Sequence, residues 1–229
     1  QVTEAGIPFF LAATMSKLNL PETGALLHWA ESLPVLPLLF LFQSMIPFGR
    51  FPADLDSVSR EAVIRAVLDS GAVAGAVAEH IHPLPSFAPV HLAVHPDCGS
   101  ILYAMRRQGR FVPADSAVDV VGLSQDAAAV PANRSRIGMW RDLARQGWRR
   151  ARPGCRLELA RAIASSLFSR PNRRLMMVSF TSFCQPGFID EQRIARCGSG
   201  ILAGSAPESV CSYFARQLSA DRALPCTSP

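Results

Sequence analysis

The sequence predicts an α/β fold in which a mixed, largely parallel sheet is flanked by helices. Helix-like and strand-like segments alternate along the chain, which is the order typical of α/β sheets. The chain has 229 residues, 49% of them hydrophobic, and this is enough for one core. No internal repeat or linker divides it, so we expect one domain over residues 1–229. Because the chain begins with Gln1 and not with Met, we also expect that an upstream segment has been lost.

The first third of the chain contains an apolar segment followed by a helix. The segment LPVLPLLFLFQSMIPF (33–48) is interrupted by three prolines and is shorter than the about 20 residues of a membrane-spanning helix. It therefore lies either in the core or in a membrane interface. The segment SVSREAVIRAVLDSG predicts a helix that Ser59 caps and Gly71 ends, with Glu61 near its positive end. Its apolar face consists of Val63, Ile64, Val67 and Leu68.

The middle of the chain predicts short strands and one helix. Three apolar runs, AVAGAVA (72–78), PVHLAV (89–94) and AVDVVGL (117–123), have the length and composition of buried strands. Between the last two, SILYAMRRQG (100–109) predicts a helix that ends at its glycine.

The last third of the chain predicts three helices and one strand. The arginine-rich segment has Trp140 and Trp148 on one helix face, and Pro153 and Gly154 end it. LELARAIASSLF is helical in pattern, RLMMVSF (174–180) reads as a strand, and APESVCSYFARQL (206–218) predicts an amphipathic helix capped near Ser205 or Ser209.

Charge and cysteine content limit the classes of function. Residues 134–174 hold 12 basic and 2 acidic residues, whereas residues 1–133 hold 7 and 12. The forked donors of arginine suit the phosphates of nucleic acid, of lipid headgroups or of an acidic cofactor, but a solvated helix face explains the same pattern. The six cysteines form no CxxC pair, which excludes a compact zinc knuckle and a small disulfide scaffold.

A histidine cluster offers one candidate metal site. Four of the five histidines lie between residues 80 and 95, and a zinc-dependent hydrolase would use His80, His82, His91 or His95 with Cys98. Histidines two residues apart on a strand face the same way, which suits shared ligands. Three prolines separate the two pairs, so a loop is the alternative interpretation.

The order of several short motifs resembles that of the type 2 diacylglycerol acyltransferase family, particularly its algal and plant-like members. That family has V-S-R-E, a V-P-G-G-x-x-E turn, H-L-R-x-R-x-G-F, V-P, F-G-N-S-Q and R-R-P-L-M-M-V in this order. Asp97, Cys98 and Ser100 depart from the family pattern. The matching positions are Val58 to Glu61, Gly75, Glu79, His91, Leu92, Gly99, Ala104, Gly109, Val112, Pro113, Gly122, Ser124, Gln125 and Arg173 to Val178.

This resemblance implies the glycerolipid acyltransferase type of fold and a lipid-synthesising activity. The expected reaction transfers a fatty acyl group from acyl-CoA to diacylglycerol, giving triacylglycerol, at the cytosolic face of the endoplasmic reticulum membrane. Acyl-CoA is a substrate, and no cofactor, metal or nucleic acid is implied. The family motifs suggest a catalytic role for Glu79. They suggest substrate binding by Ser59, Arg60, Gly75, His91, Gly99 and Gly122.

One departure from the family concerns the catalytic base. The family's H-P-H-G motif, whose first histidine resembles a general base, is replaced here by TEAG at residues 3–6. Loss of such a base lowers turnover by roughly two to four orders of magnitude. The alternative function is therefore a non-catalytic relative that binds lipid or a partner. Glu79 either orients a base at the end of a buried strand or caps a loop, and Arg60 either meets a CoA phosphate or forms a surface ion pair.

Overall fold

The computed structural model describes residues 9–44, 57–83, 98–128, 136–168, 174–182, 200–203 and 206–209. The strands in these ranges are β1 Phe10–Met15, β2 Leu39–Ser44, β3 His82–Pro83, β4 Gly99–Arg107, β5 Arg110–Pro113, β6 Leu175–Thr181, β7 Gly200–Ala203 and β8 Ala206–Ser209. The α-helices are α1 Thr23–Ser32, α2 Arg60–Asp69, α3 Val120–Ala128, α4 Arg136–Arg150 and α5 Arg156–Phe168.

The central sheet is mixed and open, which confirms the predicted α/β class. Its strand order is β1-β2-β6-β4-β3, with β5 also paired to β4. The strands β1, β2 and β6 are parallel, but β4 is antiparallel to each of its neighbours. The sheet is thus parallel in one half only. For β5 the reason is the tight turn at Gln108 and Gly109, whose φ angles of 50° and 80° fold this strand directly back on β4, whereas parallel strands need a long crossover.

The sheet separates two hydrophobic cores. On its first face, α1 and α2 pack with Leu27, Val63 and Val67 against sheet residues that include Phe40 and Phe180. On its second face, residues 114–120, Ala151 and α5 pack against Met105 and its neighbours. Successive residues of a strand point to opposite faces. Accordingly, Leu102 and Ala104 of β4 belong to the first core and Met105 to the second.

The apolar segment at 33–48 contributes to the first core. Its described part contains β2, which lies between β1 and β6. The Phe42 ring stacks between Phe40, at 4.6 Å between ring centroids, and Phe180, at 6.0 Å. For these residues the core interpretation is confirmed. Among the helices that the structure describes, none has the length and apolar character required to cross a bilayer.

The predicted helix after Ser59 is confirmed in its limits and its buried face. The Ser59 hydroxyl accepts a hydrogen bond from the Ala62 amide at 3.1 Å, and a cap of this kind contributes about 1 kcal/mol. The helix ends at Asp69, and Gly71 follows with a φ of 65°. Val63 and Val67 are buried.

The run AVAGAVA was expected to be a strand and is instead a turn. Val73 forms only an isolated bridge with Phe111, and the Ala74 amide donates to the Phe111 carbonyl at 2.8 Å. Gly75, with a φ of 73°, then bends the chain. A 3-10 turn over Ala78–His80 follows.

Two further expectations for the middle of the chain are wrong: one predicted helix is a strand, and one predicted strand begins a helix. The segment 100–109, predicted as a helix, consists of strand β4 and the turn that follows it. An apolar run of this length fits a buried central strand as well as a helix. The run at 117–123 instead begins α3, because Asp119 caps it: its carboxylate accepts the Gly122 amide at 3.0 Å, and its carbonyl accepts the Leu123 amide at 2.9 Å.

The last third of the chain agrees better with expectation. Helices α4 and α5 and strand β6 are where the sequence predicts them, and Gly154, with a φ of 82°, lies in the break after α4. The expected helix at 206–218 is wrong in its first residues, because Ala206–Ser209 pairs with β7 as strand β8. Its remainder and the expected strand at 89–94 lie outside the described residues.

Candidate functional site

Glu79 does not end a buried strand. It lies in the 3-10 turn Ala78–His80 and is exposed to solvent. The turn is closed by the His80 ring, whose Nδ1 accepts the Val77 amide at 3.1 Å. The prediction that Glu79 ends a buried strand is therefore wrong, and the loop interpretation of this acid describes its position.

Ser59 and Arg60 lie at the start of α2 with local partners. The Ser59 hydroxyl is occupied as a helix cap, and the Arg60 guanidinium lies 3.1 Å from the Glu61 carboxylate. Partial burial tends to raise the pKa of Glu61, but backbone hydrogen bonding and the Arg60 charge together lower it below its ordinary value. Helix α2 packs on the first face of the sheet, whereas Gly122 belongs to α3 on the second face. The structure does not bring these predicted substrate-binding residues together.

The three described glycines of the predicted site have different surroundings. Gly75 forms the turn after Val73, and Gly99 is buried at the start of β4. A Cβ on Gly122 would lie 2.2 Å from an Asp119 oxygen and 2.5 Å from an Arg150 nitrogen. The absence of a side chain at Gly122 thus allows the Arg150 guanidinium to reach Asp119 and gives this glycine a packing role. The sixth predicted substrate-binding residue, His91, lies outside the described residues.

The structure brings together a histidine and an aspartate that the sequence does not connect. His82 Nε2 lies 2.8 Å from Asp115 Oδ1, and the two side chains are only 13% and 12% exposed. His82 is on β3 opposite Ile101 of β4. Asp115 is in a 3-10 turn over Ala114–Ser116 that directly follows β5. The pair therefore lies on the second face of the sheet, next to its β3 edge.

The surroundings of this pair include a buried phenol. Tyr103 is two residues after Ile101 on β4 and so points to the same face as His82. The centroids of the Tyr103 and His82 rings are 6.4 Å apart. Burial raises the pKa of Tyr103 above its ordinary value, and the nearby Asp115 carboxylate raises it further. The Tyr103 phenol is therefore neutral at physiological pH.

The hydrogen bond between His82 and Asp115 has a chemical consequence for the imidazole. An ionised Asp115 accepts the Nε2 proton, which fixes the tautomer in which Nδ1 is the acceptor. This is the arrangement in which a carboxylate orients an imidazole as a general base and stabilises the imidazolium that forms. The second oxygen, Asp115 Oδ2, is buried and has no hydrogen-bond partner among the described residues.

The connection between α4 and α5 holds the Asp115 turn in place. The Arg152 side chain donates to the Asp115 carbonyl at 2.7 Å, and the Arg152 amide donates to the Ala117 carbonyl at 2.8 Å. In addition, Val118 pairs with Ala151 in an isolated bridge. These backbone-directed contacts fix the turn independently of the Asp115 carboxylate.

The described part of the histidine cluster does not form a metal centre. His80 lies in the 3-10 turn and uses Nδ1 for the Val77 amide, while His82 is on β3 and uses Nε2 for Asp115. The two imidazoles are therefore held by different partners and do not face one shared metal position, as they would on the expected strand. Within the described ranges there is no group of three or more side chains able to hold a metal ion, and His91 and His95 lie outside these ranges.

No protein-family model and no curated protein matches the chain.

Proposed function

We propose that the chain is an acyltransferase domain that transfers a fatty acyl group from acyl-CoA to the hydroxyl of diacylglycerol, with His82 as its general base. The observation on which this proposal depends is the buried 2.8 Å hydrogen bond between His82 and Asp115. Together with the motif order of the sequence, it supplies the base that the sequence lacks at residues 3–6. Because diacylglycerol resides in membranes, we place the reaction at the cytosolic face of the endoplasmic reticulum.

The proposed reaction uses the imidazole first as a base and then as an acid. His82 takes the proton of the acceptor hydroxyl while its oxygen attacks the thioester carbonyl, giving a tetrahedral intermediate. Collapse of this intermediate breaks the carbon–sulfur bond, and the leaving thiolate of CoA takes the proton back from the imidazolium. Asp115 stabilises the imidazolium between these steps, and a positioned base contributes about 10²–10⁴-fold to such a rate.

His82 replaces Glu79 as the acid–base residue in this proposal. Glu79 is exposed to solvent in a turn, whereas the His82 and Asp115 side chains are largely buried. An imidazole that a carboxylate holds in one tautomer is the arrangement typical of a general base.

The test measures acyl transfer from labelled acyl-CoA to diacylglycerol by purified protein. We expect His82→Gln, which retains a donor for Asp115 but no base, to lower kcat by about 10²–10⁴-fold with little change in KM. Asp115→Asn should lower kcat as well, because the amide donor favours the other tautomer. Glu79→Gln and His80→Gln are matched controls that should retain the activity of the unaltered chain.

Three results would contradict the proposal. Activity of His82→Gln close to that of the unaltered chain removes His82 as the base. Loss of activity in Glu79→Gln alone restores the acid as the catalytic group. Binding of acyl-CoA by the unaltered chain without any product indicates the non-catalytic, lipid-binding alternative.

A further inference from the structure

One surface of the molecule combines exposed arginines with exposed apolar side chains. We call it the basic face. It is formed by α4, the connection that follows it, and the start of α5. Trp148 is 49% exposed and Leu157 is 59% exposed on it. The exposed arginines of the basic face are Arg141, Arg145, Arg149, Arg152 and Arg156.

The spacing of the arginines within α4 places them on one side of this helix. Arg141, Arg145 and Arg149 are four residues apart, so they follow one another along the same face of α4. Trp148 is next to Arg149, and the Arg156 guanidinium lies over the Trp148 ring at 5.7 Å from its centroid. The start of α5 therefore continues the surface that α4 begins.

The basic face keeps most of its positive charge. Arg150, on the inner side of α4, pairs with Asp126 of α3 and with Asp119, which caps α3, and the pairing with Asp126 holds the pKa of this acid below its ordinary value. On the outer side, the structure describes a contact between Arg141 and its neighbour Asp142, in which the guanidinium Nε lies 3.9 Å from the carboxylate Oδ1. The inner arginine thus ties two helices together, whereas the outer ones give α4 an excess of positive charge.

We propose that the basic face docks on the surface of an anionic lipid bilayer. Negatively charged headgroups attract arginines near the surface. The Trp148 ring has the amphipathic character of side chains that lie at the headgroup level, and Leu157 supplies an aliphatic group for the acyl boundary. Leu157 also favours a bilayer over nucleic acid, since bases stack on aromatic or guanidinium planes and not on aliphatic side chains.

Docking in this orientation bears on the candidate site. Arg152 belongs to the basic face, and its side chain donates to the carbonyl of Asp115. The turn that holds the Asp115 carboxylate is therefore tied directly to the proposed docking surface. The docking proposal does not depend on catalysis, because it concerns where the molecule sits and not what His82 does.

The experiment measures flotation of the purified chain with phosphatidylcholine vesicles that contain or lack phosphatidylserine. The test variant is Arg141→Glu/Arg145→Glu/Arg149→Glu. Its matched control is Lys17→Glu/Arg65→Glu/Arg110→Glu, which changes the net charge equally at exposed positions outside the basic face. We expect the unaltered chain to bind only the vesicles that contain phosphatidylserine, and we expect added salt to weaken this binding. The test variant should bind about 100-fold more weakly or worse, and the control should bind far better than the test variant.

Trp148→Ala separates insertion from simple charge attraction. We expect it to weaken binding to the anionic vesicles several-fold at low salt, although the charge of the basic face is unchanged. Equal flotation with neutral vesicles, equal loss in the test and control variants, or tight binding of a labelled oligonucleotide without vesicle binding would each overturn the proposal. Thermal melting of every variant verifies that a loss of binding is not a loss of folding.

Discussion

Replacing Phe180 with alanine tests the central position of β6. The Phe180 side chain is fully buried in the first core and stacks on Phe42 at 6.0 Å between ring centroids. Truncation of a buried phenylalanine to alanine costs about 3–5 kcal/mol. Complete burial and the lost aromatic contact favour the upper half of this range, about 4 kcal/mol. For a chain of this size, that corresponds to a fall in Tm of about 8–16 °C.

The assay is urea denaturation followed by circular dichroism, with Phe10→Ala as the matched control. Phe10 is also on a strand of the sheet, but its side chain is 66% exposed, so its truncation should change the free energy of unfolding by less than about 0.5 kcal/mol. A cost below about 1 kcal/mol for Phe180→Ala, or equal costs for the two variants, would refute the assigned core.

Three further predictions concern local features. Ser59→Ala should lower the free energy of unfolding by about 1 kcal/mol and Ser59→Asp should leave it nearly unchanged, as measured by urea denaturation, because either oxygen caps α2; equal losses would argue against capping. Gly122→Ala should lower Tm although alanine has the better helix propensity, because the added methyl group meets the Asp119 and Arg150 side chains. The fall in Tm should be smaller in a chain that also carries Arg150→Ala, because one of these two clashes is then removed. Because burial raises the pKa of Tyr103, the unfolded phenol ionises first, and stability present below about pH 10 should be lost above it; denaturation at stepwise higher pH should show a smaller loss for Tyr103→Phe.

Local chemistry explains which elements could be predicted from the sequence. The helix after Ser59 has its own cap, period and terminal glycine, so its limits require no distant contact. By contrast, residues 101–105 form an apolar run, because this part of β4 is largely buried on both faces, and such a run does not distinguish a strand from a helix. Gly109 suits the end of a helix, but together with Gln108 it forms the hairpin turn between β4 and β5.

The candidate site was less predictable than the fold. The resemblance directed attention to Glu79, but the bend at Gly75 leaves this acid in a solvated turn. His82 and Asp115 are 33 residues apart, and neither belongs to a short motif. Only the pairing of β3 with β4 and the return of β5 bring them together. The one local signal was an acid directly after the end of an apolar strand.

The position of β6 in the sheet has a consequence for biosynthesis. Among the described strands of the large sheet, residues 175–181 are the last to leave the ribosome, yet they separate β2 from β4. Until they emerge, the edges of two apolar strands in the nascent chain lack their common neighbour. Unpaired strand edges of this kind promote aggregation. Efficient production of this protein should therefore depend on chaperones that shield the growing chain, and truncation before residue 175 should give insoluble material.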